Sequence, residues 1–117
     1  MYTETTHRSL ISECNDWIKS LRHYREDITE LRNRLYQFAA GKTEKDILIE
    51  IDHFHNQFHL QLINIHDLKH EIKGHIQQAE HHPTFGHRIP HHQLEVKYRT
   101  LVEDLDKLEK DFLNFIG

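Results

Sequence analysis

Histidine is the residue type that gives this sequence its capacity for chemistry. Thirteen of the 117 residues are His, although His does not rank among the common residues of globular proteins. An imidazole can bind a transition-metal ion, and its charge changes close to neutral pH. The sequence carries no nucleophile elbow, phosphate-binding loop or dinucleotide fingerprint. We therefore predict that the protein is not an enzyme, and that metal binding or a response to pH is the chemistry open to it.

Four of the histidines share one side of the helix predicted for the middle of the chain. At about 100° per residue they fall within a sector of about 60° that borders the apolar face. They form two pairs with i,i+4 spacing, at which two imidazoles can chelate Zn²⁺, Ni²⁺ or Cu²⁺. The alternative is that they are solvated side chains that any His-rich helix would display. We call this candidate metal site the histidine stripe: His55, His59, His66 and His70.

A second group of histidines surrounds the linker between the second and third predicted helices. In an up-down-up bundle this linker lies at the same end as the start of the first helix, so His7 and His75 are expected there as well. We consider three roles for this end: a metal or anion site, an interface that responds to pH, or a polar cap without a ligand. We call it the histidine pole, and its candidate metal ligands are His81, His82, His87, His91 and His92.

Three series of apolar residues predict the helices that must position these histidines. Within each series the spacing alternates between three and four, which is the pattern of a helix with one buried face. The series of the second helix slips once, near Phe58, and drifts across the helix face. We place the three helices at about 6–40, 44–82 and 91–116.

Glycine and proline separate the three predicted helices. Gly41 is suited to end the first helix in a left-handed conformation, Pro83 ends the second, and Pro90 opens the third. Long amphipathic helices joined by short connections pack against one another in antiparallel order. The sequence therefore predicts one all-α domain over residues 1–117, a single antiparallel up-down-up three-helix bundle with long, coiled-coil-like helices.

The single cysteine, Cys14, lies in the apolar series of the first helix, followed by Trp17. A cysteine at such a position is far more often a small buried side chain than a reactive thiol. We therefore interpret Cys14 as a structural thiol and Trp17 as a core aromatic residue.

The hairpin between the first two helices is a candidate interface. The third helix is the shortest, and its end is expected to lie near position 56 of the second helix, leaving the hairpin tip uncovered. An apolar surface at the end of a bundle commonly marks an interface, although the helices could also shift to cover it. We predict that a second copy of the chain or another protein covers Leu35, Phe38, Ile47, Ile49 and Ile51.

The charge pattern excludes other classes of partner. Fifteen Lys and Arg against nineteen Asp and Glu give a net charge of −4 with neutral His. We expect no face that concentrates Lys and Arg, and therefore no binding of nucleic acid. No apolar run reaches the roughly 18–20 residues that a membrane span needs, and the first residues do not resemble a signal peptide. We expect a cytoplasmic protein that does not bind a membrane.

Two functions are compatible with these observations. The leading hypothesis is a non-enzymatic helical module for protein–protein interaction, which forms a homodimer or binds a protein partner through its helix faces or hairpin tip and needs no cofactor. The alternative is a His-rich protein that binds a Zn, Ni or Cu ion or responds to metal or pH.

Overall fold

The computed structural model describes residues 4–81 and 87–117, except for the side chains of residues 4–7, 88 and 89. Its three helices pack in up-down-up order, which confirms the predicted fold class. Helix α3 begins three residues earlier than expected and ends at the predicted residue, and the ends of the other two helices differ from the prediction by one or two residues. The helices are α1 (Glu4–Ala39), α2 (Lys45–His81) and α3 (Arg88–Ile116).

The turn between α1 and α2 has the expected conformation. Gly41 has φ +80°, in the left-handed region that a residue without a Cβ adopts easily. The N–H of Lys42 donates to the carbonyl oxygen of Ala39 at 3.1 Å and closes the end of α1. Pro90 lies in the first turn of α3, as predicted. Pro83 lies outside the described residues.

The buried face of α2 keeps an unbroken alternation of four and three, so the predicted slip near Phe58 is wrong. A count of apolar residues produces this slip because two positions of the buried seam hold the polar residues Gln61 and His75. Lys69 is also buried, next to the seam. The seam positions of α2 are Phe54, Phe58, Gln61, Ile65, Leu68, Ile72, His75 and Ala79.

The seam of α3 extends further toward its N-terminus than its apolar residues indicated. Both His87 and His91 are buried, and they continue the alternation of four and three that begins again at Leu94. His87 is the N-cap residue of α3, and its carbonyl oxygen accepts the N–H of His91 at 2.9 Å. Two histidines of the pole therefore lie at core positions rather than on the surface.

Aromatic rings fill the end of the core opposite the histidine pole. The rings of Phe58 and Phe112 meet edge to face with centroids 5.0 Å apart, and Phe115 stacks on Phe54 at 5.2 Å. Phe115 also contacts Phe38 at 5.2 Å. The last turn of α3 therefore reaches the end of α1 and covers part of the hairpin tip.

The five residues of the predicted tip interface differ in exposure. Leu35 is fully buried in the core, which corrects its placement on the uncovered tip. Phe38, Ile47 and Ile51 are half-buried, and Ile49 is exposed. These residues are less exposed than predicted because the last turn of α3 covers part of the hairpin tip.

The bundle is a rod with extents of 61, 18 and 17 Å. Within the part of the chain that the structure describes, every helix is too polar over its length to cross a membrane.

Candidate metal centre

One side chain from each helix converges at the histidine pole. The potential ligand atoms of Cys14 on α1, His75 on α2 and His91 on α3 all lie within 4.8 Å of one another. Among the side chains that the structure describes, no other group of three or more His, Cys, Asp or Glu residues is arranged to hold a metal ion. We call these three residues the Cys–His cluster.

The heptad seams place the cluster in the core. Cys14, His75 and His91 are 1%, 9% and 5% exposed, respectively. Each occupies a seam position of its helix, so the packing of the bundle turns the three side chains toward one another. A sulfur atom and two imidazoles are thereby held in a site that is shielded from water.

Aromatic stacking holds the ring of His91. The indole of Trp17 lies nearly parallel to the imidazole, with centroids 4.9 Å apart, and also stacks on Tyr98 at 5.5 Å. The hydroxyl of Tyr98 donates to Ser20 Oγ at 2.8 Å. The stack therefore connects α1 and α3 next to the cluster and limits rotation of the imidazole.

The contact between Cys14 and His91 has the length that a shared metal ion requires. Cys14 Sγ lies 3.7 Å from His91 Nδ1. For Zn–S and Zn–N bonds of about 2.3 and 2.05 Å at the tetrahedral angle, the S···N separation is about 3.6 Å. The two atoms thus need almost no movement to bind one ion, and without an ion they form a weak hydrogen bond.

The other nitrogen of His91 faces a carboxylate. His91 Nε2 lies 3.4 Å from Glu13 Oε1, on the side of the ring away from Cys14. When Nε2 carries the proton it donates to Glu13, and the lone pair of Nδ1 is then directed toward the cluster. Glu13 is therefore placed to orient His91 rather than to bind the same ion.

His75 is the side chain whose hydrogen bonding is incomplete. Its Nε2 atom is buried and has no hydrogen-bond partner among the described residues. Its ring centroid lies 5.5 Å from that of His91 and 6.0 Å from that of His87. Two imidazoles on one tetrahedral zinc ion would have centroids about 5 Å apart, so the spacing from His91 is close to that of a shared ligand set.

Burial favours the uncharged forms of His75 and Cys14. Burial, followed by the charges of His91 and His87, lowers the pKa of His75, which favours the neutral imidazole that a metal ion needs. Burial, followed by the negative charge of Glu13, raises the pKa of Cys14 to about 12. Without a metal ion the thiol is therefore protonated at neutral pH and is a poor nucleophile, and a metal ion would have to displace its proton.

The histidine stripe lies apart from this cluster. The side chains of His55, His59, His66 and His70 are all exposed. His55 contacts the ring of Tyr36, with centroids 5.9 Å apart. Within the described part of the chain, none of the four belongs to a group of three potential ligands.

The pole residues predicted as ligands are divided by the structure. His91 belongs to the Cys–His cluster, and His87 is buried beside it. His81 and His92 are exposed. His82 lies outside the described residues.

Two members of the cluster were missed as ligands at the level of sequence. Cys14 was interpreted only as a structural thiol, and His75 was placed at the pole without a role. The signal that could have found His75 is the heptad register, because His75 lies between Ile72 and Ala79 in the buried series of α2. His91 continues the buried series of α3 in the same way, three residues before Leu94, and Cys14 is buried opposite them. A His or Cys residue at a heptad seam position should therefore be counted as a core residue together with the apolar ones.

Comparison of the chain with models of protein families, with curated proteins and with solved structures found no match. The donor set itself suits a zinc-type ion, since one thiolate and two imidazoles are ligands that Zn²⁺ and Cu bind well. Three protein ligands leave one of the four tetrahedral positions for water or a further side chain.

Proposed function

We propose that this protein binds a zinc-type transition-metal ion at the Cys–His cluster. The observation that carries the proposal is the convergence of Cys14, His75 and His91, one from each helix, within 4.8 Å. The buried Nε2 of His75, which lacks a partner among the described residues, supports it. A buried polar atom without a partner costs about 1–3 kcal/mol, and a bond to a metal ion removes that penalty.

The consequence of binding is a cross-link between three helices. Helix α3 follows a linker of several residues, and an ion held by all three helices would fasten its start to α1 and α2. Because the ligands converge only in the folded chain, the ion stabilises the folded state, by about 4 kcal/mol at a free concentration 1,000 times the Kd. The stability of the histidine pole would thus depend on the concentration of free metal ion.

His87 is the side chain that we expect at the fourth position. It is buried, it lies one helical turn before His91, and its ring approaches that of His75. A set of one Cys and three His would close the site, as in structural zinc centres, whereas a water molecule there would leave it open.

Cobalt(II) titration of reduced, metal-free protein tests the proposal. We expect one Co²⁺ per chain, with the charge-transfer absorption of a cobalt–thiolate bond. Cys14→Ala should lose that absorption, and His75→Gln should weaken binding at least tenfold. His66→Gln on the exposed stripe is the matched control and should bind like the wild type.

Circular dichroism of each variant establishes that it is folded. Saturation without thiolate absorption, or a folded His75→Gln variant that binds cobalt like the wild type, would place the ion elsewhere and reject the cluster as the metal site.

A second candidate function is the interaction module predicted from the sequence, and one specific feature favours it. Ile49, Leu60 and Ile63 on α2 are 54%, 47% and 44% exposed. At about 100° per residue they share a sector of about 60° on the side of α2 away from its buried seam. Such a strip is suited to pack against an apolar helix, as a second copy of the chain would supply.

A further inference from the structure

Basic side chains line a cleft between α1 and α2, away from the metal centre. The cleft has a volume of about 240 Å³ and is lined by Arg22, Arg25, Glu26 and Lys69. A wider adjoining cleft of about 590 Å³ includes Arg22 and Lys73. Lys69 precedes His75 by six residues, about 9 Å along α2. We call the cleft of about 240 Å³ the basic cleft.

Lys69 is the unusual member of this group. It is only 8% exposed, although Lys is almost never buried without a partner. Among the residues that the structure describes, its ammonium group makes no hydrogen bond or ion pair. Burial, followed by the positive charges of Arg25, Lys73 and Arg22, lowers its pKa. The folded protein therefore holds a cation in a place that disfavours it.

The neighbours of Lys69 do not neutralise it. Arg22, Arg25 and Lys73 also lack an ion pair within the described part of the chain. The one acid that lines the cleft, Glu26, has its carboxylate 4.0 Å from His23. Three cations and one carboxylate thus line the basic cleft, and Lys73 adds a fourth positive charge close to Lys69.

Three cations elsewhere in the bundle do have a carboxylate partner. Lys97 binds Glu71 at 2.7 Å, Arg99 binds Glu95 at 2.7 Å, and Lys107 binds Asp111 at 2.9 Å. The expectation that no face concentrates Lys and Arg is wrong for the groove between α1 and α2, because the packing of two helices brings together cations that are far apart in sequence.

We propose that the basic cleft binds an oxyanion of the phosphate class that carries two or more negative charges. Two guanidinium groups at the rim can each donate a pair of hydrogen bonds to phosphate oxygens. The ammonium group of Lys69, which lines the same cleft, supplies a third positive charge, and partial burial of this side chain strengthens the attraction to an anion. The bound anion offsets the repulsion among the four cations, so it stabilises the folded protein.

Thermal unfolding with pyrophosphate as the probe tests this site. At constant ionic strength, pyrophosphate should raise the Tm of the wild type more than sodium chloride does, since chloride only screens. Lys69→Met removes the ammonium charge with little change in side-chain length. This variant should have a higher Tm than the wild type without the anion, and should lose the shift caused by pyrophosphate.

Lys110→Met is the matched control, because Lys110 is exposed on α3. It should keep the full pyrophosphate shift. A shift retained in folded Lys69→Met, or an equal shift with chloride at the same ionic strength, would overturn the proposal. Lys69→Gln provides a second variant with the charge removed, should Lys69→Met fail to fold.

Vesicle flotation distinguishes the two sources of the phosphate group. Vesicles of phosphatidylcholine with a phosphatidylinositol phosphate should bind the wild type and not Lys69→Met if the group is a lipid headgroup. A pyrophosphate shift without flotation assigns the cleft to free phosphate compounds. Binding of a single-stranded oligonucleotide in the absence of any pyrophosphate shift would reject a site for small phosphate groups.

Discussion

Three contacts determine what the ring of His91 can do. Nδ1 faces the sulfur of Cys14, Nε2 faces Glu13, and the ring face stacks on Trp17. The carboxylate and the indole together fix the orientation of the imidazole, and a fixed ligand loses less freedom when an ion binds. We therefore expect the metal affinity to depend on Glu13, which orients the imidazole, as well as on His91 itself.

Replacing Glu13 by Gln should weaken zinc binding by about 10–100-fold, the usual effect of removing a group that orients a metal ligand. The carboxylate also raises the pKa of Cys14, but this effect is secondary to burial. In the loaded site the same carboxylate faces an ion and a thiolate with a net positive charge, which its negative charge stabilises. The affinity is measured by competition with a chromophoric chelator.

Glu30→Gln, at an exposed position of the same helix, is the control and should leave the zinc affinity unchanged. If Glu13→Gln binds zinc as tightly as the wild type, the contact with His91 has no part in holding the ion.

Each helix was predictable as an element because its signals are local. The apolar period, Gly41 and Pro90 placed the described helix ends to within three residues. The seam of α2 was the exception, since Gln61 and His75 hold core positions that a count of apolar residues omits. Gln61 accepts a hydrogen bond from Asn64 of the same helix at 3.2 Å. His75 instead faces Cys14 and His91 of the other two helices, and the sequence of one helix does not contain those neighbours.

The two glycines of the helical hairpin should respond to alanine in opposite directions. A Cβ at Gly74, inside α2, would meet no atom within 4 Å. Gly74→Ala should therefore raise the free energy of unfolding by about 1 kcal/mol, the difference in helix propensity. Gly41→Ala should lower it by about 1 kcal/mol, because φ at this position is +80°.

Urea denaturation of the metal-free protein measures both changes. Each variant is a control for the other, because both replace Gly by Ala and they differ in the backbone conformation at the substituted residue. A Gly74→Ala variant less stable than the wild type would indicate that this part of α2 is not a regular helix in solution.

At the scale of the whole molecule, the two ends of the rod differ in chemistry. One end buries a cluster of phenylalanine rings around Phe58 and Phe112, and the other buries Cys14 beside imidazoles. The outer face of α2 exposes the apolar strip beside the phenylalanine end, since Phe54 and Phe58 lie between Ile49 and Ile63 along this helix. The proposed metal site and the proposed association surface therefore lie on different parts of the bundle and can be altered separately.

The association predicted from the sequence is tested by sedimentation equilibrium. At concentrations of tens of micromolar the wild type should self-associate, and the double variant Ile49→Lys, Leu60→Lys should sediment as a monomer, because two charges on the strip oppose its burial. Val96→Lys, at an exposed position on α3, is the control and should associate like the wild type. A monomeric wild type with or without zinc would contradict the prediction.

The sequence by itself determined the number, length and order of the helices, because helix periodicity and turn residues act over a few neighbouring positions. It also placed many histidines at one end of the bundle. Only the tertiary structure decided which of them share a site. Cys14 and His91 are 77 residues apart and become neighbours only through helix packing. The same packing brought three cations close to Lys69, two of which belong to another helix. A site built from three helices depends on their relative rotation and axial offset, and these are fixed by the fit of the whole core.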